Sequence, residues 1–312
     1  MIAVLHKPWL WSFVAALVVF LITIAATAGA SAAGVMHAAL TFAALSIVVG
    51  TGQMFVITLG PGNIDLAVPA TMTLAATVAL KYMDGAAGLI APGLLIALGI
   101  GVAIGVVNYA LIKLLRIPPI IATLAMSFVI QSAAIATNRG IRIKPPQPLA
   151  EFTTGTFAGI PNLAWVTLAL TVLAWLLLNR TVYGRWISAI GQSMAAARMA
   201  GIPVDGVRLA TYVLCAVLAA LAGYLMASFS GGAALDMGKE YLLMSIAVVV
   251  IGGSSVAGGD SNVPGIWGAS LFMYLVVTML NTYGLQSGAR QILTGLIIIT
   301  VILAASGRAR GD

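Results

Sequence analysis

The stretch AAGLIAPGLLIALGIGVAIGVVNYALI, residues 86–112, decides the fold, because none of its positions carries a charge. As an α-helix rising 1.5 Å per residue it is about 40 Å long, more than the roughly 30 Å hydrocarbon core of a bilayer. Within it, Gly99, Gly101 and Gly105 offer a small face for close helix approach, as do Ala219, Ala220, Ala222 and Gly223 further on.

Outward from this stretch the chain keeps the same character. Of its 312 residues 61% are hydrophobic and 7% charged, against about 25% charged in soluble domains. That composition excludes a water-soluble fold. Ten apolar stretches approach spanning length: 9–28, 36–59, 64–80, 86–112, 117–137, 161–178, 209–230, 241–256, 264–282 and 291–306. In lipid every backbone amide needs a partner within its own segment, so each stretch is expected to be helical. Short alternating strands of a barrel are absent from the sequence. The expected fold is an all-α polytopic membrane protein with about ten transmembrane helices. Residues 9–28 exceed the length of a signal-peptide core and read as the first span. The chain is expected to form one membrane domain: a first helix and flank (1–35), a first helical half (36–178), a polar loop (179–208) and a second half (209–312).

Fifteen Lys and Arg stand against eight Asp and Glu, a net charge of +7. No basic run is interleaved with aromatics, so a nucleic-acid partner is not indicated. With cytoplasmic termini, Lys7, Lys113, Arg116, Arg180, Arg185, Arg198, Arg208, Arg308 and Arg310 fall on the cytoplasmic side. Six cations then remain outside, in accord with the positive-inside rule. Loop 179–208 holds four arginines and one acid and is the best-placed cytoplasmic loop. The lone Cys215 sits in an apolar stretch and reads as a core thiol.

Four features could carry chemistry. In TLGPGNIDLAVP, residues 58–69, a Gly/Pro break sets Asn63 and Asp65 beside two apolar helices. Either the break lines a pathway, as broken helices do in transporters, or Asp65 caps the following helix. The glycine-rich IGGSSVAGGDSNVPG, residues 251–265, lacks the Gly-Lys-Ser/Thr of a nucleotide-binding loop, so ATP hydrolysis is not expected. Both segments contain Asp-x-x-Val-Pro followed by a small residue, a hint of internal duplication. The third feature is a short Ala-rich helix between Gly191 and Gly201, with Arg198 on its other face and Pro203 beyond its end. It fits either a groove on a partner protein or the headgroup layer of a membrane. Last come the neutral amides Gln53, Asn108, Gln131 and Asn281 within spans, which either tie helices together or bond solute hydroxyls. No convergent ionisable or metal-ligand cluster is visible, so neither metal nor cofactor is expected. The spans lack clear intramembrane charges, which disfavours an ion-coupled carrier, the alternative reading.

Gly62–Val68 (GNIDLAV), Ile117–Ala125 (IPPIIATLA), Gly184-Arg185 with Ala189-Ile190-Gly191 and Ala196-Ala197 through Gly201-Ile202, and Ile251-Gly252-Gly253 with Gly265 together resemble the ribose/branched-chain-type permeases of ABC importers. The chain departs from that pattern at Pro61-Gly62-Asn63, Ala67 and Pro69, which leaves the solute open. The resemblance implies a non-enzymatic permease subunit of the bacterial inner membrane. It also implies a homodimer or a pair with a sister permease, separate ABC ATPase subunits, and a periplasmic solute-binding protein that meets the outer loops. Gly184, Arg185, Ala189, Gly191, Ala196, Ala197, Arg198 and Gly201 would form the ATPase-coupling segment. Gln53, Asn63, Asp65, Asn108, Gln131 and Asn281 are the candidates for the translocation pathway. The outer charges Arg139, Arg142, Lys144, Glu151, Asp236, Lys239 and Glu240 are candidates for the binding-protein contact.

Overall fold

Helix boundaries follow the local chemistry of the chain closely. The computed structural model describes residues 8–26, 32–138 and 144–283, with isolated positions at 288, 292–293, 295–296 and 299–300. The elements in order are α1 (Pro8–Ala26), α2 (Ala32–Thr58), α3 (Val68–Met83), a 3₁₀ turn (Ala87–Leu89), α4 (Ile90–Leu115), α5 (Pro119–Thr137) and α6 (Gln147–Thr154). There follow β1 (Thr156–Phe157), β2 (Ile160–Pro161), α7 (Asn162–Arg180), α8 (Val182–Gln192), α9 (Met194–Met199), α10 (Val204–Phe229), α11 (Tyr241–Ile251) and α12 (Val263–Thr282). Proline in the first turn starts α3, α5, α6 and α12, where its missing N–H costs nothing. Left-handed Asp84 and Arg116 end α3 and α4.

Six helices among the described residues are long and apolar enough to cross a membrane: Ala32–Thr58, Ala87–Leu115, Pro119–Thr137, Asn162–Arg180, Val204–Phe229 and Val263–Asn281. Trp9–Ala25 and Tyr241–Ile251 are shorter apolar helices, and α3 has 16 residues. The expected span at 291–306 falls outside the described residues except at 292–293, 295–296 and 299–300, all helical. The expected span at 241–256 stops at Ile251, where Gly252 and a left-handed Gly253 close α11. The span expected at 209–230 begins earlier, at Val204. Its added first turns hold Asp205 and Arg208, which hydropathy rejects but which find partners in Tyr109 of α4 and in Asn63 of loop 59–67.

The core is organised around α10. Buried Tyr212, Cys215, Ala216, Ala219, Ala220, Ala222 and Gly223 lie along it. A Cβ on Gly101 would sit 2.8 Å from the Ala216 carbonyl oxygen, and one on Gly105 only 2.5 Å from Val213 Cα, so α4 touches α10 backbone to backbone. On another face, a Cβ on Gly223 would lie 2.2 Å from the Met72 carbonyl oxygen of α3. At Gly52 of α2 the corresponding distance is 3.1 Å, to Cys215 Cα. Gly99, by contrast, faces open space. Gly105→Leu should therefore force α4 away from α10, an overpacking cost of about 1–3 kcal/mol. In a thermal-shift assay in detergent its midpoint should fall by roughly 2–4 °C per kcal/mol, while Gly99→Leu leaves the midpoint unchanged.

Successive long helices run back and forth, so the connections alternate between two ends of the bundle. Residues 59–67, 116–118, 181–203 and 252–262 meet at one end, through contacts of Gly191 with Thr58 and Gly259 and of Lys113 with Asp205. Residues 84–89, 144–161 and 230–240 occupy the other, where Gln131 Nε2 donates to the Leu235 carbonyl at 2.8 Å. Lys113, Arg116, Arg180, Arg185, Arg198 and Arg208 all belong to the first end. Lys7, Arg139, Arg142, Arg308 and Arg310 fall outside the described residues.

Candidate functional site

The first end of the bundle carries a helical hairpin built from polar and small residues. Thr181 starts α8, its Oγ1 accepting from the Gly184 amide at 3.2 Å. Gly184 lets α8 double back on α7, since a Cβ there would lie 1.8 Å from the Leu178 carbonyl oxygen. Gly184, Ile187, Ile190 and Gly191 turn one face of α8 inward and leave Arg185 outside; Ala189 is half-buried. The half-buried Tyr183 hydroxyl meets Thr211 Oγ1 at 2.8 Å, and desolvation pushes its phenol up to about 12.

The sequence suggests one helix between Gly191 and Gly201, but the structure breaks it at Ser193. Ser193 is extended, and its Oγ accepts from the Ala196 amide, so α9 begins with a cap of its own. Ala197 is buried, whereas Ala196, Arg198 and Met199 are exposed, Met199 at 84%. Left-handed Gly201 stops α9, and the Ile202 amide reaches back to the Ala197 carbonyl.

Three glycine-bearing segments hold this hairpin to the bundle. The Gly259 amide donates to the Thr58 carbonyl at 2.9 Å. Gly191 packs directly over that bond, its missing Cβ 2.0 Å from the Thr58 oxygen and 2.3 Å from the Gly259 nitrogen. Gly60 and Gly258 both have positive φ, and a Cβ on Gly258 would lie 2.3 Å from Gly60 Cα. Thr58 Oγ1 also bonds Ser261 Oγ. The end of α2, the end of α8 and the loop before α12 thus meet through bare backbone.

Beside this junction, loop 59–67 turns inward and its polar side chains are satisfied by helices. Asn63 Nδ2 donates to the Gly60 carbonyl at 3.1 Å, and its Oδ1 accepts from Tyr212 at 3.1 Å and from Arg208 Nη2 at 3.3 Å. Asp65 Oδ1 accepts from the Ala67 amide at 2.9 Å, and both its oxygens face Asn108 Nδ2 at 3.4 Å. The Arg208 guanidinium lies 5.6 Å from the Tyr109 ring centre. The Tyr109 hydroxyl donates to Asp205 at 2.8 Å, and Asp205 pairs with Lys113 at 3.1 Å. Thr123 Oγ1 of α5 accepts from the Leu66 amide. The loop is thereby tied to α4, α5 and α10 at once.

Of the six candidate pathway residues, the structure brings together Asn63, Asp65 and Asn108, all buried within the chain. Buried Gln53 of α2 points to the next turn of α10, 3.8 Å from Cys215 Sγ. Gln131 serves the opposite end, and Asn281 is exposed in the last turn of α12. The two Asp-x-x-Val-Pro repeats each begin a helix, α3 and α12, at the hairpin end of the bundle. Sequence reasoning misses Tyr109, Arg208 and Tyr212 as members of the cluster. A signal exists in the spacing of Asp205, Arg208, Tyr212 and Cys215, three or four residues apart and so on one helix face.

Fold and site together define an α-helical, multi-pass membrane protein with a small polar hairpin fixed to one end. The model of the family described as the branched-chain amino acid transport system / permease component matches residues 54–302, and the chain belongs to this family. It is 33% identical over 259 residues to a probable ABC transporter permease protein of Sinorhizobium fredii, covering 82% of this chain and 77% of that one. It is 29% identical to the ribose import permease protein of Escherichia coli K12, covering 77% and 76% of the two chains. To the fructose import permease protein of Bifidobacterium longum it is 28% identical, covering 86% and 76%. No solved structure matches.

Proposed function

We propose that this chain is the membrane-spanning subunit of an ATP-driven importer, moving a sugar or a similarly small polar solute across the bacterial inner membrane. The observation that carries the reading is the α8–α9 hairpin. It leaves Arg185, Arg198 and Met199 free of the bundle yet is rooted at Gly191 in the ends of α2 and the loop before α12. A protein that grips α9 would thereby pull on several spans together. The names of the ribose and fructose relatives support the solute class. Cytoplasmic termini put the hairpin where ATPase subunits dock and the opposite end where a solute-binding protein arrives. A paired permease is supported by α5, whose Ile121, Leu124, Phe128 and Val129 are exposed while only Ala122, Thr123, Ile130 and Ala134 are buried. Asn63, Asp65 and Asn108 then act by holding the inner end of the pathway in shape.

Reconstitution in liposomes with the cognate ATPase and binding protein tests this reading. Uptake should require all three components and ATP. Uptake by the chain alone, driven by an ion gradient, would replace the importer with a secondary carrier. Within the reconstituted system, Met199→Asp and Arg185→Glu should lower solute-stimulated ATP hydrolysis about tenfold, the loss expected when a buried apolar or ionic contact of an interface is broken. The amount of inserted protein should stay constant.

A further inference from the structure

Among the described residues one carboxyl is buried: that of Asp65, 2% exposed, in loop 59–67 and so outside the spanning helices. A buried carboxylate keeps its charge when a cation or several short hydrogen bonds hold it. Asp65 has neither. Among the described residues no salt bridge reaches it. Its Oδ1 accepts one good bond, from the Ala67 amide at 2.9 Å. Its Oδ2 meets only Asn108 Nδ2, at 3.4 Å, and that nitrogen is shared with Oδ1 at the same distance.

The groups packed around the carboxyl are committed elsewhere. Tyr212 and Cys215 of α10 face it, but the Tyr212 hydroxyl is given to Asn63 and the Cys215 thiol to Gln53. Arg208, on the same helix, sends Nη2 to Asn63 and lays its guanidinium over the Tyr109 ring. From α4, Tyr109 and Lys113 both turn to Asp205. α5 brings no titratable group, only Thr123, which is bonded to the backbone of the loop. Burial therefore outweighs the Ala67 amide and Asn108, and it pushes the Asp65 carboxyl up to about 6.

Asn108 supplies the second half of the arrangement. It is fully buried, and its Oδ1 has no hydrogen-bond partner. A carbonyl oxygen beside a carboxylate is repelled while the acid is charged and becomes its acceptor once the acid is neutral. We infer that Asp65 and Asn108 form a proton-binding site: the proton sits on Asp65 Oδ2, is donated to Asn108 Oδ1 and fastens loop 59–67 to α4. Binding requires only that the Asn108 amide turn over. That turn leaves Nδ2 unpaired in place of Oδ1, an even exchange, while two 3.4 Å contacts give way to one O–H···O bond and the core loses a charge. The proton comes from water and returns to it. Because folding raises the proton affinity of Asp65, its contribution to stability is complete below its unfolded value of 3.8 and is lost as pH rises through about 6.

Infrared titration of the full chain in detergent, with its aspartate carboxyls carbon-13 labelled, tests the site. The C=O band of a protonated aspartate should grow on acidification with a midpoint near 6, apart from ordinary aspartates at about 4. It should vanish in Asp65→Asn and persist in Asp205→Asn, which removes an exposed carboxyl at the same end. Asparagine at 65 mimics the protonated acid. At about pH 7.5 its thermal midpoint should therefore lie about 2–4 °C above that of the unmodified chain, a gap that closes by about pH 5. A labelled chain with no aspartate band titrating above about pH 5 overturns the site without recourse to any variant. A band that survives in Asp65→Asn overturns it too. An Asp65→Asn chain less stable than the unmodified one at neutral pH would show the carboxylate to be held charged, as by Arg208, and is equally fatal.

Discussion

Replacing Gly191 by valine should abolish ATP-driven uptake while leaving the chain inserted in the membrane. Even a single Cβ at this position would lie 2.0 Å from the Thr58 carbonyl oxygen and 2.3 Å from the Gly259 nitrogen, inside the hydrogen bond those atoms make. Neither atom is a flexible side-chain tip that could swing away, so α8 must lift from the bundle or the Thr58–Gly259 bond must open. Overpacking costs about 1–3 kcal/mol, and a lost hydrogen bond about 1 kcal/mol more. The strain falls where the hairpin is rooted and away from the crossings of α4 and α3 with α10, so the spans should still assemble. We expect uptake in the reconstituted system to fall by at least about tenfold, the equivalent of 1.4 kcal/mol. Gly191→Ala should give a smaller loss in the same direction. Val182→Ala, at an exposed position in the first turn of the same helix, serves as the neutral control. Valine at 191 with wild-type uptake would remove the junction from any role in coupling.

Asn63→Leu should produce the largest loss of stability among substitutions in the polar cluster. The asparagine is 5% exposed and serves three partners: it donates to the Gly60 carbonyl and accepts from Tyr212 and Arg208. Leucine has a similar volume, so the change removes hydrogen bonds without opening a large cavity. Each buried polar group left unpaired costs about 1–3 kcal/mol. Tyr212 is fully buried and has nowhere to turn, whereas Arg208 is half-buried and keeps its stacking on Tyr109. The expected total is therefore about 2–4 kcal/mol, measurable as a lower thermal midpoint in detergent. The double variant Asn63→Leu with Tyr212→Phe should be less damaging than the sum of the two single changes, because removing both partners leaves no orphaned hydroxyl. Strict additivity would show that the two side chains do not interact. Since Asn63 is three residues from the backbone contact of Gly60 with Gly191, the same variant should also reduce uptake beyond what its stability loss explains.

Residues 86–112 illustrate how much of the fold is written locally. Their lack of charge commits them to lipid, and lipid commits them to helix, whatever the rest of the chain does. The C-terminal end of α9 is equally local, because Gly201 and Pro203 end the helix where the sequence places its end, whereas the break at Ser193 goes unread. The start of α10 is not: Asp205 and Arg208 look like loop residues until Lys113, Tyr109 and Asn63 are placed beside them. Gln131 and Asn281 show the reverse. Both are amides in apolar stretches like Asn108, yet one ties α5 to residue 235 and the other faces outward.

Glycine gives the sharpest contrast. Gly99, Gly101 and Gly105 read identically in sequence, but only the last two press against α10, because the rotation of α4 about its axis is set by its neighbours. The sequence by itself determined that this protein is a stack of apolar helices in lipid with a short polar helical loop, since solvent preference and capping act over a few residues. Only the tertiary structure decided that Gly60, Gly191 and Gly259 converge and that Asn63 answers to Tyr212 and Arg208. Those contacts join residues up to about two hundred positions apart, and no local preference can specify which distant backbone will fill the space a missing side chain leaves.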